Sequence, residues 1–324
     1  MQNQASAPDG GAPTLQETLD KARRVGGGVL DDSPGYEPVT EAQAEAGIFR
    51  LVAGYADENG IIHDEVELRA MTGNEEDLLG NDKIPFLSRI NSILANCVKR
   101  IGTITDQGQI HRAVSELPSG ARTHLLILLR VVTHWKAVKD EYEMTFTCPQ
   151  RGCGRESTHK IDLLSLDQFT MADPRVMITK VKLPDSGSEV SWCVMTGWRD
   201  HVLDVVVGSD NRGDLLSHAI LVRLVDWDGE RVELGVDDFL AKDMKKMRMS
   251  KNAMKLLKRV KGLTVGDRET LRASFLDKEP GIDTDVEVEC PGCGVVTETT
   301  LVVGQPGFFF PQAISRRSKR RSST

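Results

Sequence analysis

The sequence predicts an α+β fold made of two related units, and three patterns support this prediction. Short runs that alternate between apolar and polar residues, as strands do, separate longer runs with helical periodicity. Several short words of sequence recur in the same order in the two halves of the chain. Each half also ends in a strand-like run followed by a pair of cysteines. We therefore expect two α+β units (hairpin plus helices) joined through a zinc-ribbon-like pair of Cys knuckles.

The first unit is predicted to begin with a hairpin followed by two helices. Arg50 to Val66 is typical of two strands around a turn at residues 58–60, Glu-Asn-Gly, because Asn-Gly favours the twist of tight hairpins. Thr72 and Glu75 form the pattern of a capping box at the start of a helix. Pro85 then opens a second helix that has one apolar face.

A third helix, capped by Ser119, is predicted to lie between layers, because its run Leu125–Val132 is apolar nearly all round. Residues 185–187, Asp-Ser-Gly, favour the turn of a hairpin that joins the two units, and in the second unit Leu215–Leu224 and Asn252–Val260 have helical patterns. The strands of this second hairpin are predicted at Val176–Lys182 and Val190–Val194.

An internal repeat connects the two units. The strand-like runs Asp64–Gly73 and Ser188–Gly197 both end in Met-Thr-Gly, and Leu117–Arg122 matches Leu263–Arg268. Each unit then continues with an apolar helical run, an alternating strand and a cysteine knuckle. A shared order with drifting spacing predicts duplication of one unit, with loops that varied afterwards.

The two cysteine knuckles have the form of metal-binding turns. They are Cys148-Pro-Gln-Arg-Gly-Cys153 and Cys290-Pro-Gly-Cys293, and each is followed by glycine. The first has four residues between its cysteines instead of the usual two. Neither pair can complete a tetrahedral site alone, whereas together they supply four thiolates, the usual number for structural zinc. We predict that Cys148, Cys153, Cys290 and Cys293 bind one zinc ion.

Two other states of these cysteines stay open at this stage, namely two disulfides or four buried free thiols. No signal peptide is recognisable, and synthesis in the cytosol disfavours disulfides. His159 is a further candidate ligand, although a single histidine in a Thr-His-Lys run is more typical of a solvated surface. Cys97 and Cys193 lie in apolar patterns and are predicted to be core thiols.

Composition divides the chain into four segments and excludes a membrane span. The 324 residues carry a net charge of −7, and no run approaches the roughly 18 apolar residues that a spanning helix needs. The predicted segments are a mostly disordered acidic arm with a short helix near 15–25 (1–48), the first unit with the first knuckle (49–182), the second unit with the second knuckle and the aromatic segment (183–311), and a basic disordered tail (312–324).

The aromatic run Phe308-Phe-Phe-Pro311 is too apolar to remain exposed. It either packs back onto its own chain or inserts into a neighbouring subunit. We expect mainly the first arrangement, with part of the surface shared.

Four words of sequence together resemble one known family. They are Leu-Pro-Asp-Ser-Gly at 183–187, Met-Thr-Gly at 195–197, Cys-Pro-Gly-Cys-Gly at 290–294 and Gly-Phe-Phe-Phe-Pro at 307–311. Their order resembles that of the T4-type baseplate hub proteins, also labelled hub assembly chaperones, of contractile phage tails and related injection machines. The resemblance covers roughly residues 50–311.

The resemblance implies a virion tail baseplate protein that is made in the host cytoplasm and is not secreted by a signal peptide. Its implied partners are other baseplate or hub subunits, and it would act by assembly and contact rather than by catalysis. The sequence itself also favours a non-catalytic role, because it contains no nucleophile elbow, P-loop, dinucleotide fingerprint or His-Glu-x-x-His motif. We therefore expect no enzyme activity and no small-molecule substrate.

Two alternatives to a permanent structural subunit stay open. One is a transient chaperone that assembles the hub and leaves. The other is a zinc-ribbon protein that binds nucleic acid. The acidic balance and the lack of a face that combines basic and aromatic residues argue against nucleic acid as a partner.

Overall fold

The predicted α+β class is confirmed in the computed structural model, which describes residues 39–208, 212–243 and 246–310. These residues belong to one compact unit. The helix predicted near residues 15–25 and the basic tail from residue 312 onwards lie outside the described residues. The division of the folded part at residue 182 stays a prediction.

Hairpins and helices alternate along the first half of the described chain. Its elements are α1 (Glu41–Ala46), β1 (Ile48–Ala56), β2 (Ile62–Leu68), α2 (Gly73–Leu79), α3 (Phe86–Cys97), β3 (Val98–Ile101), α4 (Gln107–Glu116), α5 (Ser119–Val138), β4 (Glu141–Thr147) and β5 (Glu156–Asp162).

The second half follows the same order with additional short strands. Its elements are β6 (Gln168–Phe169), β7 (Ile178–Lys182), β8 (Glu189–Cys193), α6 (Trp198–Gly208), α7 (Leu215–Leu221), β9 (Leu224–Trp227), β10 (Glu230–Arg231), β11 (Phe239–Asp243), β12 (Lys246–Met249), α8 (Lys251–Lys261), α9 (Val265–Lys278), β13 (Gly281–Ile282), β14 (Asp285–Glu289), β15 (Val296–Thr300) and the single-turn α10 (Pro306–Phe309).

Most element starts agree with the local sequence signals, but several boundaries differ; β7, for example, begins at Ile178 instead of the predicted Val176. The capping box is present, since the backbone N–H of Thr72 donates to Glu75 Oε2 at 2.8 Å. Ser119 is the first residue of α5 and follows Pro118, rather than being the cap. The helix predicted to reach Leu224 ends at Leu221, because Leu224 begins a strand that pairs with β8. Residues 41–46, placed in the predicted arm, form α1.

The two larger sheets share one arrangement, in which a hairpin is extended by a third antiparallel strand. The strand orders are β1–β2–β3 and β10–β9–β8–β7. Both sheets contain the same bulge, where one extra residue, Lys99 in β3 or Val225 in β9, interrupts the pairing with the second hairpin strand. The matching pairs are Val66–Ile101 with Val190–Trp227, Glu67–Arg100 with Ser191–Asp226, and Leu68–Val98 with Trp192–Leu224.

This shared register supports the predicted duplication. The residues of β8 lie 124 positions after their counterparts in β2, and those of β9 lie 126 positions after their counterparts in β3. A bulge placed by chance would not recur at the same step of both ladders, and bulges are characteristic features of a family's fold. The order hairpin, two helices, strand, two helices, knuckle hairpin is also the same in both halves.

Two large hydrophobic cores lie inside the described part of the chain. The first joins the sheet β1–β2–β3 to helices α3, α4 and α5, and the second joins the sheet β7–β8–β9 to helices α6 to α9. The closing segment of the second half contributes Val286, Val288, Leu301, Phe308 and Phe309 to the first core. The end of the second predicted unit therefore packs on the first.

The aromatic segment packs onto its own chain. The Phe308 and Phe309 side chains are buried, and the Arg130 guanidinium carbon of α5 lies 5.4 Å from the centre of the Phe308 ring. Arg130 Nη1 donates to the carbonyl oxygen of Phe309, and His134 Nε2 lies 2.6 Å from the same oxygen. The described part of the run is thus fixed to α5 by ring contacts and by its backbone.

Acid should destabilise the protein through His124 on α5. This side chain is 1 % exposed, and burial lowers the pKa of His124 to about 4. The unfolded chain, with a histidine pKa near 6.5, binds the proton first, so stability is lost as pH falls from about 6.5 towards 4, by about 3 kcal/mol at pH 4. Denaturant unfolding across this range should show a flatter pH profile for His124→Leu. His111→Gln, at an exposed position of α4, should keep the wild-type slope, and equal slopes for all three proteins would contradict the assignment.

Candidate metal centre

Each cysteine knuckle closes a strand hairpin in the same way. The first joins β4 to β5 and the second joins β14 to β15. The backbone N–H of Cys148 donates to the carbonyl of Arg155 at 2.9 Å, and the N–H of Cys290 donates to that of Val295 at 3.0 Å. The glycine after each knuckle has a left-handed backbone, with φ of +56° at Gly154 and +70° at Gly294, which explains why both knuckles end in glycine.

The four knuckle cysteines converge on one point. Cys148 Sγ lies 3.7 Å from Cys293 Sγ, and Cys153 Sγ lies 3.7 Å from Cys290 Sγ. All four sulfur atoms lie within 4.8 Å of one another. Zinc–sulfur bonds of about 2.3 Å in a tetrahedron require sulfur atoms about 3.8 Å apart. The cross-paired sulfur spacing therefore fits a tetrahedral thiolate site, and the four cysteines could hold a metal ion.

The longer first knuckle does not prevent this convergence. The carbonyl of Gln150 accepts the backbone N–H of Cys153 in a tight turn, and this turn brings Cys153 back towards the second knuckle. On the opposite side, a Cβ atom on Gly292 would lie 2.8 Å from Arg155 Cδ and 3.5 Å from Cys153 Sγ. Glycine at this position therefore allows the two knuckles to approach closely.

Backbone N–H groups lower the pKa values of Cys290 and Cys148, whereas the neighbouring thiols lower the pKa of Cys290 and raise that of Cys148. The N–H groups of Gly292 and Cys293 point at the sulfur of Cys290 and lower the pKa of Cys290 to about 6. At Cys148 the N–H of Gln150 also favours the thiolate, but burial and hydrogen bonding with the other thiols raise the pKa of Cys148 to about 12. Four sulfur atoms this close cannot all ionise unless a cation compensates them, which a divalent metal would do.

The site is closed towards the protein and reaches solvent on one side. Cys290 is 0 % exposed and Cys148 is 3 % exposed, and both belong to the first core. Cys153 is half-buried and Cys293 is exposed. None of these cysteines is linked in a disulfide. An ion held by four thiolates has no open coordination position, so this arrangement suits a structural role rather than a catalytic one.

The other residues weighed from the sequence lie away from the four thiols. His159 lies on β5, where its Nε2 is 2.9 Å from Ser157 Oγ and its ring packs edge-on against Phe146. Cys97 and Cys193 are buried core thiols, as predicted, and burial raises the pKa of both. In the part of the chain that the structure describes, no second group of histidine, cysteine or acidic side chains could hold a metal ion.

Comparison with known proteins identifies no relative. The chain matches no family model, no curated protein and no solved structure. Among the described helices, none is both long enough and apolar enough to cross a membrane.

Replacing Gly294 should weaken metal binding as well as the fold. In Gly294→Ala the side chain must adopt a left-handed backbone at about 1 kcal/mol, and relaxation of that strain moves the Cys293 sulfur. Gly187 is a matched control, because it has a φ of +69° in the hairpin turn and, like Gly294, open space around its Cβ position. Both alanine variants should lose similar stability in denaturant unfolding. In competition with a chromogenic chelator, only Gly294→Ala should bind zinc more weakly, and equal affinity in both variants would contradict the role of this turn.

Proposed function

We propose that this protein is a structural component whose two knuckles bind one zinc ion as a permanent cross-link. The observation that carries the proposal is the convergence of four cysteines from two hairpins that are distant in sequence, with a sulfur spacing of 3.7 Å across the pairs. Zinc is the metal that this donor set favours, because soft thiolates in a tetrahedral arrangement select zinc or iron–sulfur chemistry.

The bound ion would supply a mechanical connection. The first hairpin follows directly from α5, and the second follows α9 and leads into the aromatic segment. A cross-link between them fixes the end of the second half against the first core, where Val286 and Val288 are buried. The residues contribute ligands and backbone N–H donors, and no step of a reaction is required of them.

The larger assembly that we propose is the baseplate or hub of a contractile phage tail or a related injection machine. Its support is the order of the sequence words that resemble the baseplate hub family, together with a thiolate site suited to structural use. In this role the chain acts through contacts with other baseplate subunits.

Mass spectrometry of purified, mature tail particles tests this proposal. A permanent subunit should be present at a fixed ratio to a known tail protein, and the ratio should persist through gradient purification. A chain found in assembly intermediates but missing from mature particles would instead identify a transient chaperone. Absence from both samples would contradict any baseplate role.

Metal analysis and thiol labelling distinguish a bound zinc ion from disulfides and from an iron–sulfur cluster. Protein purified without added metal should contain about one zinc per chain. Thiol labelling of unfolded, metal-free protein should detect all six cysteines. Detection of only two free cysteines would instead indicate that the four knuckle cysteines form disulfides, and iron with visible absorption would indicate a cluster.

A further inference from the structure

A polar contact joins the first half of the chain to the start of the second half. The segment Met195–Asp200, which we call the docking segment, lies against a receiving surface formed by Ser115, Ser119 and Arg122. Asp200 Oδ1 accepts the Ser119 hydroxyl at 2.6 Å, and Asp200 Oδ2 pairs with the Arg122 guanidinium. The backbone N–H of Ser119 donates to the carbonyl of Met195 at 2.9 Å, and that of Gly197 donates to the carbonyl of Ser115 at 3.1 Å.

The internal repeat supplies a second copy of each partner in this contact. The counterpart of the docking segment is Met71–Glu76, which has the same Met-Thr-Gly and, like Met195–Asp200, an acid as its last residue. The counterpart of the receiving surface is Lys261, Val265 and Arg268, 146 positions after Ser115, Ser119 and Arg122, the spacing that also separates Gly120 from Gly266.

Equivalent hydrogen bonds show that these counterparts occupy equivalent places. Arg122 Nη1 donates to Asn91 on α3, and Arg268 Nη2 donates to Ser217, 126 positions later on α7. The N–H of Met71 donates to Thr133 at the far part of α5, and the N–H of Met195 donates to Glu279 at the end of α9. The residues Thr133 and Glu279 are again 146 positions apart.

The counterparts do not meet each other within the chain. Glu76 is exposed, and Arg268 has no carboxylate partner among the described residues. The Nε atoms of Arg122 and Arg268 are both buried without a hydrogen-bond partner in the described part of the chain, so the two arginines differ mainly in the carboxylate. Val265 is 70 % exposed at the position that corresponds to Ser119. The second docking segment, Met71–Glu76, and the second receiving surface, Lys261, Val265 and Arg268, thus make no contact with each other within the chain.

Apolar surface adjoins the open receiving surface. In the contact within the chain, α6 packs against α3. The corresponding helix in the second half is α7, where Leu216 is 61 % exposed, whereas its counterpart Ile90 on α3 is 3 % exposed. Exposed leucine and valine lie here beside a guanidinium that has no carboxylate partner among the described residues, and apolar surface around such a charge suits an interface.

We propose that a second copy of this protein docks head to tail, with its Met71–Glu76 segment on the Lys261, Val265 and Arg268 surface of the first. Glu76 of one copy would pair with Arg268 of the next, as Asp200 pairs with Arg122 inside the chain. Val265 lacks the hydroxyl of Ser119, so an apolar contact replaces that hydrogen bond. Because the two surfaces differ, the contact is heterologous and produces rings or open chains rather than closed symmetric dimers.

Charge reversal tests the proposal directly. Sedimentation velocity over a concentration series should show wild-type assembly beyond a dimer. Glu76→Arg or Arg268→Glu alone should weaken association at least thirtyfold, the equivalent of breaking one desolvated charge pair. An equimolar mixture of the two variants should again assemble beyond a dimer, because native Glu76 of one variant pairs with native Arg268 of the other, and the introduced arginine pairs with the introduced glutamate at the next contact. A chain that carries both substitutions should also recover.

Neighbouring substitutions provide the control. Asp77→Arg and Lys278→Glu change charge on the same helices, at the residue after Glu76 and at the opposite end of α9 from Arg268, and they should leave association unchanged. Near-native melting temperatures should show that all variants are folded. A wild-type chain that stays monomeric at every concentration would overturn the proposal. So would assembly that the two reversals do not weaken, or single variants that fail to recover when mixed.

Discussion

A Cys293→Ser chain should purify with almost no zinc, whereas the native chain should carry about one ion. Cys293 is the exposed member of the four cysteines, and its sulfur lies 3.7 Å from that of Cys148. A hydroxyl at this position is a poor zinc ligand, but it does not disturb the core. The measured change therefore reports the loss of the ion rather than a packing defect. Elemental analysis by plasma mass spectrometry of the two purified proteins measures it.

Stability should fall together with the metal. Loss of a structural thiolate site removes binding free energy that is available only to the folded chain, so the free energy of unfolding should decrease by roughly 5 kcal/mol. Wild-type protein treated with a strong chelator should melt at the temperature of Cys293→Ser. Cys193→Ala removes a buried thiol that lies outside the site and should keep its zinc. A Cys293→Ser chain that retains both the ion and the native melting temperature would refute the joint site.

The two cysteine knuckles could be recognised because the information that forms each of them is local. Each knuckle is a short turn, and the strand before it has a clear alternating pattern, as in β4, Glu141–Thr147, which ends directly before Cys148. Glycine after the second cysteine of each turn is required by the left-handed backbone. The repeat then indicated that the two half-sites belong to equivalent places in related halves.

The residues that receive the aromatic segment could not be predicted in this way. The return of Phe308 and Phe309 to the core of the first half depends on Arg130 and His134, and nothing in a helical pattern marks those two side chains as partners of a segment so far along the chain. In the sequence, Arg130 is recognisable only as a charged residue within the apolar run Leu125–Val132. Its burial follows from rings on either side, with Tyr142 4.8 Å from its guanidinium carbon.

The pairing of Arg122 with Asp200 was also hidden, although both residues lie in or beside the matched words of the repeat. The repeat matches Arg122 with Arg268 and Asp200 with Glu76, so the sequence gives no sign that an arginine of one matched pair contacts an acid of the other. Only the fold shows that Arg122 pairs with Asp200 across the boundary between the halves. The same repeat that predicts the halves therefore also predicts how one half recognises another.

Removal of Asp200 should be among the most damaging single changes on this boundary. In Asp200→Ala the Arg122 side chain, 5 % exposed, remains buried with Asn91 and Ser119 as polar partners but without a carboxylate. A buried charge that loses its partner costs about 3–5 kcal/mol. Denaturant unfolding at neutral pH should show this decrease in the free energy of unfolding. Asp214→Ala breaks the more exposed pair with Lys261 and should cost less than about 1 kcal/mol.

A double variant distinguishes an unpaired charge from a lost packing contact. Arg122→Met combined with Asp200→Leu replaces both charges by apolar side chains, and it should recover most of the stability that Asp200→Ala loses. If the double variant is instead less stable than Asp200→Ala, the ion pair itself contributes net free energy to the boundary. In that case, Glu76 and Arg268 would add comparable free energy to a contact between copies, and disruption of that contact by charge reversal should be stronger than thirtyfold.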